Sequence, residues 1–406
     1  MSLAAGHPSK VVSRYRIALT LLWFLLPVVA VSLKLSIGPT AYNNYLIYKH
    51  VFLHVLDGAD LYAFYPADHL YQNHYGPSFS LLIAPFALLP DVVGGMLWAL
   101  TGAACLFIAL QKLPISVTGR LVLMCIVLVE MTGSLQNLQF NTMLCAWVIL
   151  SWCFLREGRL WPAAMLISGG MLVKLYGILG ILFTPFNGRF GRMILAMSLA
   201  IILLVALPML YADPEFIIRS YADWYLRLVG KNAENISTNL TDGMQDLSAM
   251  GMFRRMTGWN TLSNLWFLLP AGLLMLAPLI HRNQWQEPRF QMNYLAQLLI
   301  GMVVFSTSAE SPTYVIAVTG FAIWFKQYLP KPPAFAWVLL IAVVVLTILS
   351  PTDIFPRTFR KAYVSRYGLK ALPCVAAWFV ITWELLSGRH FKTDYPYAHS
   401  GTVART

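Results

Sequence analysis

"SFSLLIAPFALL", residues 78–89, is apolar enough to enter a bilayer but short for a crossing. A helix needs about 20 apolar residues to span a hydrocarbon core of about 30 Å, so these twelve read as a re-entrant or interfacial helix. That reading sets the sidedness of everything downstream. Candidate crossings lie at roughly 17–35, 92–111, 120–134, 141–155, 159–173, 175–186, 193–211, 262–280, 292–308, 312–328, 334–350 and 369–387. If 78–89 does not cross, the connectors with Lys112/Arg120, Arg156/Arg159, Arg189/Arg192, Arg282/Arg289 and Lys326/Lys331 share the side of the N-terminus. The tail with Arg389, Lys392 and Arg405 joins them. One more crossing at 78–89 would put those five connectors outside, against the cytoplasmic bias of Lys and Arg. The expectation is an all-α polytopic membrane protein with about 12 transmembrane helices, interfacial or re-entrant helices on the outer face, and both termini cytoplasmic.

Composition supports lipid as the main solvent. The 406 residues are 58% hydrophobic and 11% charged, against about 25% charged in a soluble domain. The net charge of +12 is spread over short connectors, which fits membrane sidedness and not a nucleic-acid groove. All five cysteines lie in apolar runs and read as packing residues. The run after Arg16, "IALTLLWFLLPVVAVSL", exceeds a signal-peptide core of about 7–15 residues and reads as an uncleaved first helix. No internal repeat or soluble linker appears, so one membrane domain over 1–406 is expected. It would have a cytoplasmic tail at 1–16, outer segments at 36–91, 212–261 and 351–368, and a second tail at 388–406.

With this topology the polar stretches fall on the outer face. In "NNYLIYKHVFLHVLDGADLY" (43–62), helical spacing places Asn43, His50, His54 and Asp57 near one face. This suits an amphipathic helix on the outer surface, capped by Gly58; the His/His/Asp spacing would also suit a divalent metal. "HLYQNHYGPSFS" (69–80) offers His69, His74 and Tyr75 to a sugar, or is a loop leading into the next helix. "VEMTGSLQNLQFN" (129–141) holds Glu130, Gln136, Asn137, Gln139 and Asn141, more polar groups than two helix ends need. A membrane carboxylate normally faces a cavity. Lys174, in "SGGMLVKLYGILG", breaks a long apolar run beside Gly169, Gly170 and Gly177. It either snorkels or offers a cation to a phosphate. "STSAESPTYVI" (306–316) sets Glu310 and Thr313 at a helix start, as a cap or as a base. "SPTDIFPRTFRKAYVSRYGLK" (350–370) adds Asp353, Arg357 and Arg360 where phosphates would be met.

Taken together, "N-x3-Y", "LDGADLY", "HYGPSF" and "APFALLP", followed by "LQFN" (138–141) and "VKLYG" (173–177), resemble glycosyltransferase family 87. These are mannosyltransferase-like membrane proteins of the GT-C superfamily that use polyprenyl-phosphate sugars. The resemblance covers nearly the whole chain and looks like a bacterial subgroup, implying a multi-pass protein of the cytoplasmic (inner) membrane. It implies inverting transfer of a hexose from a polyprenyl-phosphate-linked donor to a lipid or glycan acceptor, with membrane lipids as neighbours and no cofactor. A carboxylate would take the acceptor proton, and Lys174, with Arg357 and Arg360, would meet the donor phosphate. The family's usual aspartate falls at Asn44, which cannot serve as base. Glu310 and Glu130, then Asp57 or Asp68, are the replacements. Asn43, Tyr48, His69, His74, Tyr75, Gln136, Asn137, Gln139, Asn141, Thr313 and Asp353 are the sugar- or acceptor-binding candidates. A lipid-sugar flippase and a non-catalytic binding protein are the alternatives, the second because of Asn44.

Overall fold

The computed structural model describes residues 10–238 and 245–388. Most of the two expected tails, at 1–9 and 389–406, lies outside that range. The described chain is helical: α1 Lys10–Ile37, α2 Asn43–Asp57, α3 Phe79–Ala87, α4 Asp91–Lys112, α5 Val117–Gln136, α6 Asn141–Arg156 and α7 Leu160–Val173. After a 3-10 helix, Leu175–Asn187, follow α8 Phe190–Ala206, α9 Pro214–Thr238, α10 Ala249–Thr257, α11 Leu265–Leu276, α12 Pro288–Val304 and α13 Tyr314–Lys326. Last come α14 Ala334–Ala342, which continues as a π-helix to Leu349, the single turn α15 Arg357–Phe359, and α16 Leu372–Ser387.

Each apolar run coincides with a helical rod. Four rods are long and apolar enough to cross a membrane unaided: Val11–Ile37, Asp91–Lys112, Val117–Gln136 and Phe190–Leu210. α3 is different. Its nine residues rise only about 14 Å, and it packs on α2 and α4. The 3-10 geometry of Leu175–Asn187 has a use as well. At about 2.0 Å per residue its thirteen residues reach about 26 Å, further than the same residues would as α-helix. α12 and α13 form the centre, with almost every side chain buried.

The basic connectors gather at one end of the bundle. Lys112 pairs with Glu157 at 3.2 Å, and Asn187 donates to Leu155 O. Gln286 donates to Phe186 O, and Arg289 to Gln327 O. His281 Nε2 meets Leu386 O, and Lys326 lies against Gly119. The polar stretches converge at the opposite end. There Asn44 reaches Asn137, and Gln139 reaches Glu310.

α2 corrects one expectation. It is a helix over the expected residues, closed by Gly58 at φ +63°. It is not a surface helix, because Tyr45, Tyr48, Val51, Phe52 and Val55 are all buried. The apolar side of its amphipathic pattern faces protein.

Candidate active site

At the polar end lies a cavity of ≈ 1740 Å³. The first feature of its wall is the tip of a hairpin. α7 ends at Lys174, whose backbone turns extended (φ −139°, ψ 115°), and the 3-10 helix runs back along α7. Gly177 makes this possible. A Cβ there would stand 2.4 Å from the carbonyl carbon of Gly170, so only glycine lets the two strands of the hairpin meet. The lysine is thereby held on the cavity wall, its ammonium 2.6 Å from Asn141 Oδ1.

The second feature is the turn 137–141 between α5 and α6. Leu138 sits at φ +54°, a conformation uncommon for a non-glycine residue that persists where its surroundings over-determine it. They do so here. Trp98 Nε1 donates to Leu138 O at 2.9 Å, and Asn44 Nδ2 donates to Asn137 O at 2.9 Å. An ionised aspartate at position 44 could not donate that bond. Asn44 is therefore a clamp on the turn while still lining the cavity.

The third feature is the start of α13. Glu310 caps the 3-10 turn Ser311–Thr313, and its N–H donates to Thr313 Oγ1 at 3.3 Å. Gln139 Nε2 donates to Glu310 Oε2 at 2.8 Å. Asn141 Nδ2 donates to Gln139 Oε1 and, at 3.5 Å, to Thr313 Oγ1. One chain of hydrogen bonds thus joins Lys174 to Glu310 through two amides.

Of the other candidates, Tyr48, His74, Tyr75, Asn137, Thr313, Asp353 and Arg360 line the same cavity. The Tyr48 and Tyr75 hydroxyls lie 3.0 Å apart. His74 Nδ1 accepts from Arg227 Nε at 3.2 Å. Burial, then the charges of Arg227 and Lys231, push its imidazole down to about 3, so it is neutral at ordinary pH and is no proton donor of the histidinium kind.

Several candidates lie elsewhere. Asp57 ends α2 on the surface, and Arg357 is exposed in α15; neither lines the cavity, nor does Gln136. Asn43 is buried and accepts from Leu70 N at 2.6 Å, tying the loop to α2. His69 is buried beside His50 and His54. Those two histidines approach Asp68, at 3.7 and 3.3 Å, rather than Asp57. Among the described residues no trio of His, Cys, Asp or Glu is arranged to hold a metal. Glu130 is buried and bonded to Lys370 at 2.6 Å; it is an ion-pair partner behind the wall rather than a free base. Asn141 is fully buried and lies beneath the lining. Lys361, of the basic cluster at 350–370, also lines the cavity, as do Tyr176, Arg227, Lys231 and Lys370, which sequence reasoning missed. Of those missed, only Lys370 carried a signal, as a member of the basic run quoted above.

One flank of the cavity is apolar. Leu175 and Leu179, Leu268, Gly272 and Met275 of α11, and Met302 of α12 are part of its lining. Leu175 and Leu268 are 53% and 39% exposed, so this flank opens toward the lipid-facing surface of the bundle.

Apolar rods that open at one end into a chamber of mixed polar and apolar lining define an integral membrane protein. The model of glycosyltransferase family 87 matches residues 73–307, and the chain belongs to that family. No curated protein matches it by sequence. Among solved structures, that of ArnT from Cupriavidus metallidurans bound to undecaprenyl phosphate is similar at a TM-score of 0.46 and 13% identity, covering 94% of this chain and 79% of that one.

Proposed function

We propose that this chain transfers a hexose, mannose or a close relative, from a polyprenyl-phosphate donor to a hydroxyl of a lipid or glycan acceptor on the outer face of the membrane. The observation that carries this reading is the convergence of Lys174 and Glu310, far apart in sequence, on one cavity with an apolar flank. A polyprenyl tail would lie along the apolar lining given by Leu175, Leu179, Leu268 and Met275. Its phosphate then reaches Lys174, whose ammonium is hydrogen-bonded to a neutral amide and keeps its charge for an anion. Glu310 lines the same cavity, its carboxylate held by Gln139 Nε2 and by the Thr313 N–H, and an acceptor hydroxyl gives up its proton there.

In the reaction the acceptor oxygen bonds to the anomeric carbon from the face opposite the phosphate. The C1–O bond to phosphate breaks with its electron pair passing to the phosphate oxygen. The acceptor proton goes to Glu310 as general base, and Lys174 stabilises the charge that grows on the phosphate. Attack from the opposite face inverts the anomeric centre. Arg360 stands at the rim as a further phosphate contact, and Tyr48, Tyr75 and Thr313 face the sugar or acceptor.

The gathering of polar lining at one end favours transfer over a flippase, which needs a polar route through the full depth. The binding-only alternative rested on Asn44. Its amide now has a structural task, and Glu310 supplies a carboxylate in the same chamber.

The test is transfer of labelled sugar from polyprenyl-phosphate hexoses by the purified protein in lipid nanodiscs with candidate acceptors. Glu310→Gln and Lys174→Ala are each expected to lower turnover by about a hundredfold or more. Full turnover in Glu310→Gln would remove that residue as the base. Absence of transfer by the unaltered protein from every donor would remove the enzyme reading.

A further inference from the structure

We propose that Asn141, a residue with no access to substrate, is the positioning residue that couples the phosphate-binding cation to the base, so that Lys174 is released to the phosphate as Glu310 takes up its proton. The inference rests on the reading of Lys174 and Glu310 given above and extends it to how the two charges act together.

Three observations carry it. Asn141 is fully buried and absent from the cavity lining, yet it touches residues on both sides of the chemistry. Its hydrogen bonds have one polarity: Oδ1 accepts from the Lys174 ammonium at 2.6 Å, and Nδ2 donates to Gln139 Oε1, whose Nε2 donates to Glu310 Oε2 at 2.8 Å. A second path closes a ring, since Asn141 Nδ2 also reaches Thr313 Oγ1, which accepts from the Glu310 N–H.

Each amide in this chain is polarised by its neighbours. With Glu310 ionised, the chain runs from cation to anion and every bond is strengthened, so Lys174 is drawn onto Asn141. Once Glu310 holds the acceptor proton, the anionic end is gone, the pull along the chain weakens, and Lys174 is freer to turn toward the phosphate. That is the moment at which the phosphate gains charge as a leaving group. Asn141 and Gln139 move no proton; they transmit the change of charge.

The test needs no turnover. Binding of bare polyprenyl phosphate to the purified protein in nanodiscs is measured for the unaltered chain, Glu310→Gln, Asn141→Leu and the double variant. Coupling is reciprocal, so Glu310→Gln is expected to tighten binding by about fivefold or more when Asn141 is present, and by much less in the Asn141→Leu background. Equal tightening in both backgrounds would mean that the charges act through space, and would overturn the coupling while leaving the base assignment standing. No tightening in either background overturns it too. Gln139→Met removes the link to the Glu310 carboxylate, the Thr313 path ending on the Glu310 backbone N–H, and must reproduce the Asn141→Leu result, which covers the case in which the buried substitution does not fold. In the transfer assay, Gln139→Met is expected to lower kcat by about tenfold or more with the acceptor KM unchanged. A raised KM with unchanged kcat would make Gln139 a substrate contact and sink the proposal. Full activity of Glu310→Gln would instead remove the base reading, and the coupling with it.

Discussion

Glu130 lies in α5 with its carboxylate 2.6 Å from Lys370 Nζ, and Lys370 also donates to Thr347 O at 2.8 Å. Both side chains are buried, so neither charge is screened by water, and removing one strands the other. Lys370→Met is expected to destabilise the protein by about 3–5 kcal/mol, read as a lower thermal midpoint in detergent. The double variant Glu130→Leu/Lys370→Met should recover most of the loss, because a buried pair replaced by apolar groups is often neutral. If the double variant is no better than the single one, the pair is not the reason for the loss. From sequence, Glu130 and Glu310 look alike, each a carboxylate beside an apolar helix. What separates them is a lysine 240 positions along the chain, and no local pattern announces that contact. Asn44 is a similar case. Its identity says that the usual base is absent; only its bond to Asn137 O says what the amide does.

At the scale of elements, the hairpin of α7 and Leu175–Asn187 decides where Lys174 points. Gly177→Ala would place a Cβ 2.4 Å from Gly170 backbone, which cannot move aside as a side chain tip could. The expected cost is about 1–3 kcal/mol, visible as a lower thermal midpoint. Transfer should fall more than stability alone explains, because the tip and its lysine shift together. An alanine variant with unchanged activity would show that the hairpin tip need not be held so closely. The glycines around Lys174 made a break legible in the sequence. The 3-10 geometry was not legible, since the same apolar residues suit an α-helix; the tight pairing with α7 and the length to be covered select the longer rise per residue. The shortness of α3 was legible in its sequence, while α2 hid its environment, because an apolar helix face looks the same whether lipid or protein covers it.

For the whole molecule, the sorting of basic connectors to one end and polar stretches to the other carries a sidedness prediction. In a variant lacking the native cysteines, Glu157→Cys and Asp353→Cys stand at opposite ends of the bundle, both exposed. The positive-inside bias places position 157 in the cytoplasm. A membrane-impermeant thiol reagent added to intact cells should therefore label position 353 and leave position 157 untouched until the cells are opened. The opposite pattern would turn the protein over and put the candidate site on the cytoplasmic face. The same sorting explains why the candidate residues are so dispersed in sequence. Each rod delivers only its end to the chamber, so a site built there must draw on many separate connectors.

The sequence by itself determined that the chain is a helical membrane protein, where its apolar rods run, and which polar stretches share an end. These follow from length, hydropathy and the placement of charge, which act locally along the chain. Tertiary structure alone decided which members of those stretches form one site. It joined Lys174 to Glu310 through buried amides, paired Glu130 with Lys370, and sent Asp57 and Arg357 to the surface. The physical reason is that a hydrogen bond or ion pair is settled by distance within a few ångströms, and distances between the ends of separate helices are set by how the rods pack rather than by any one stretch of sequence.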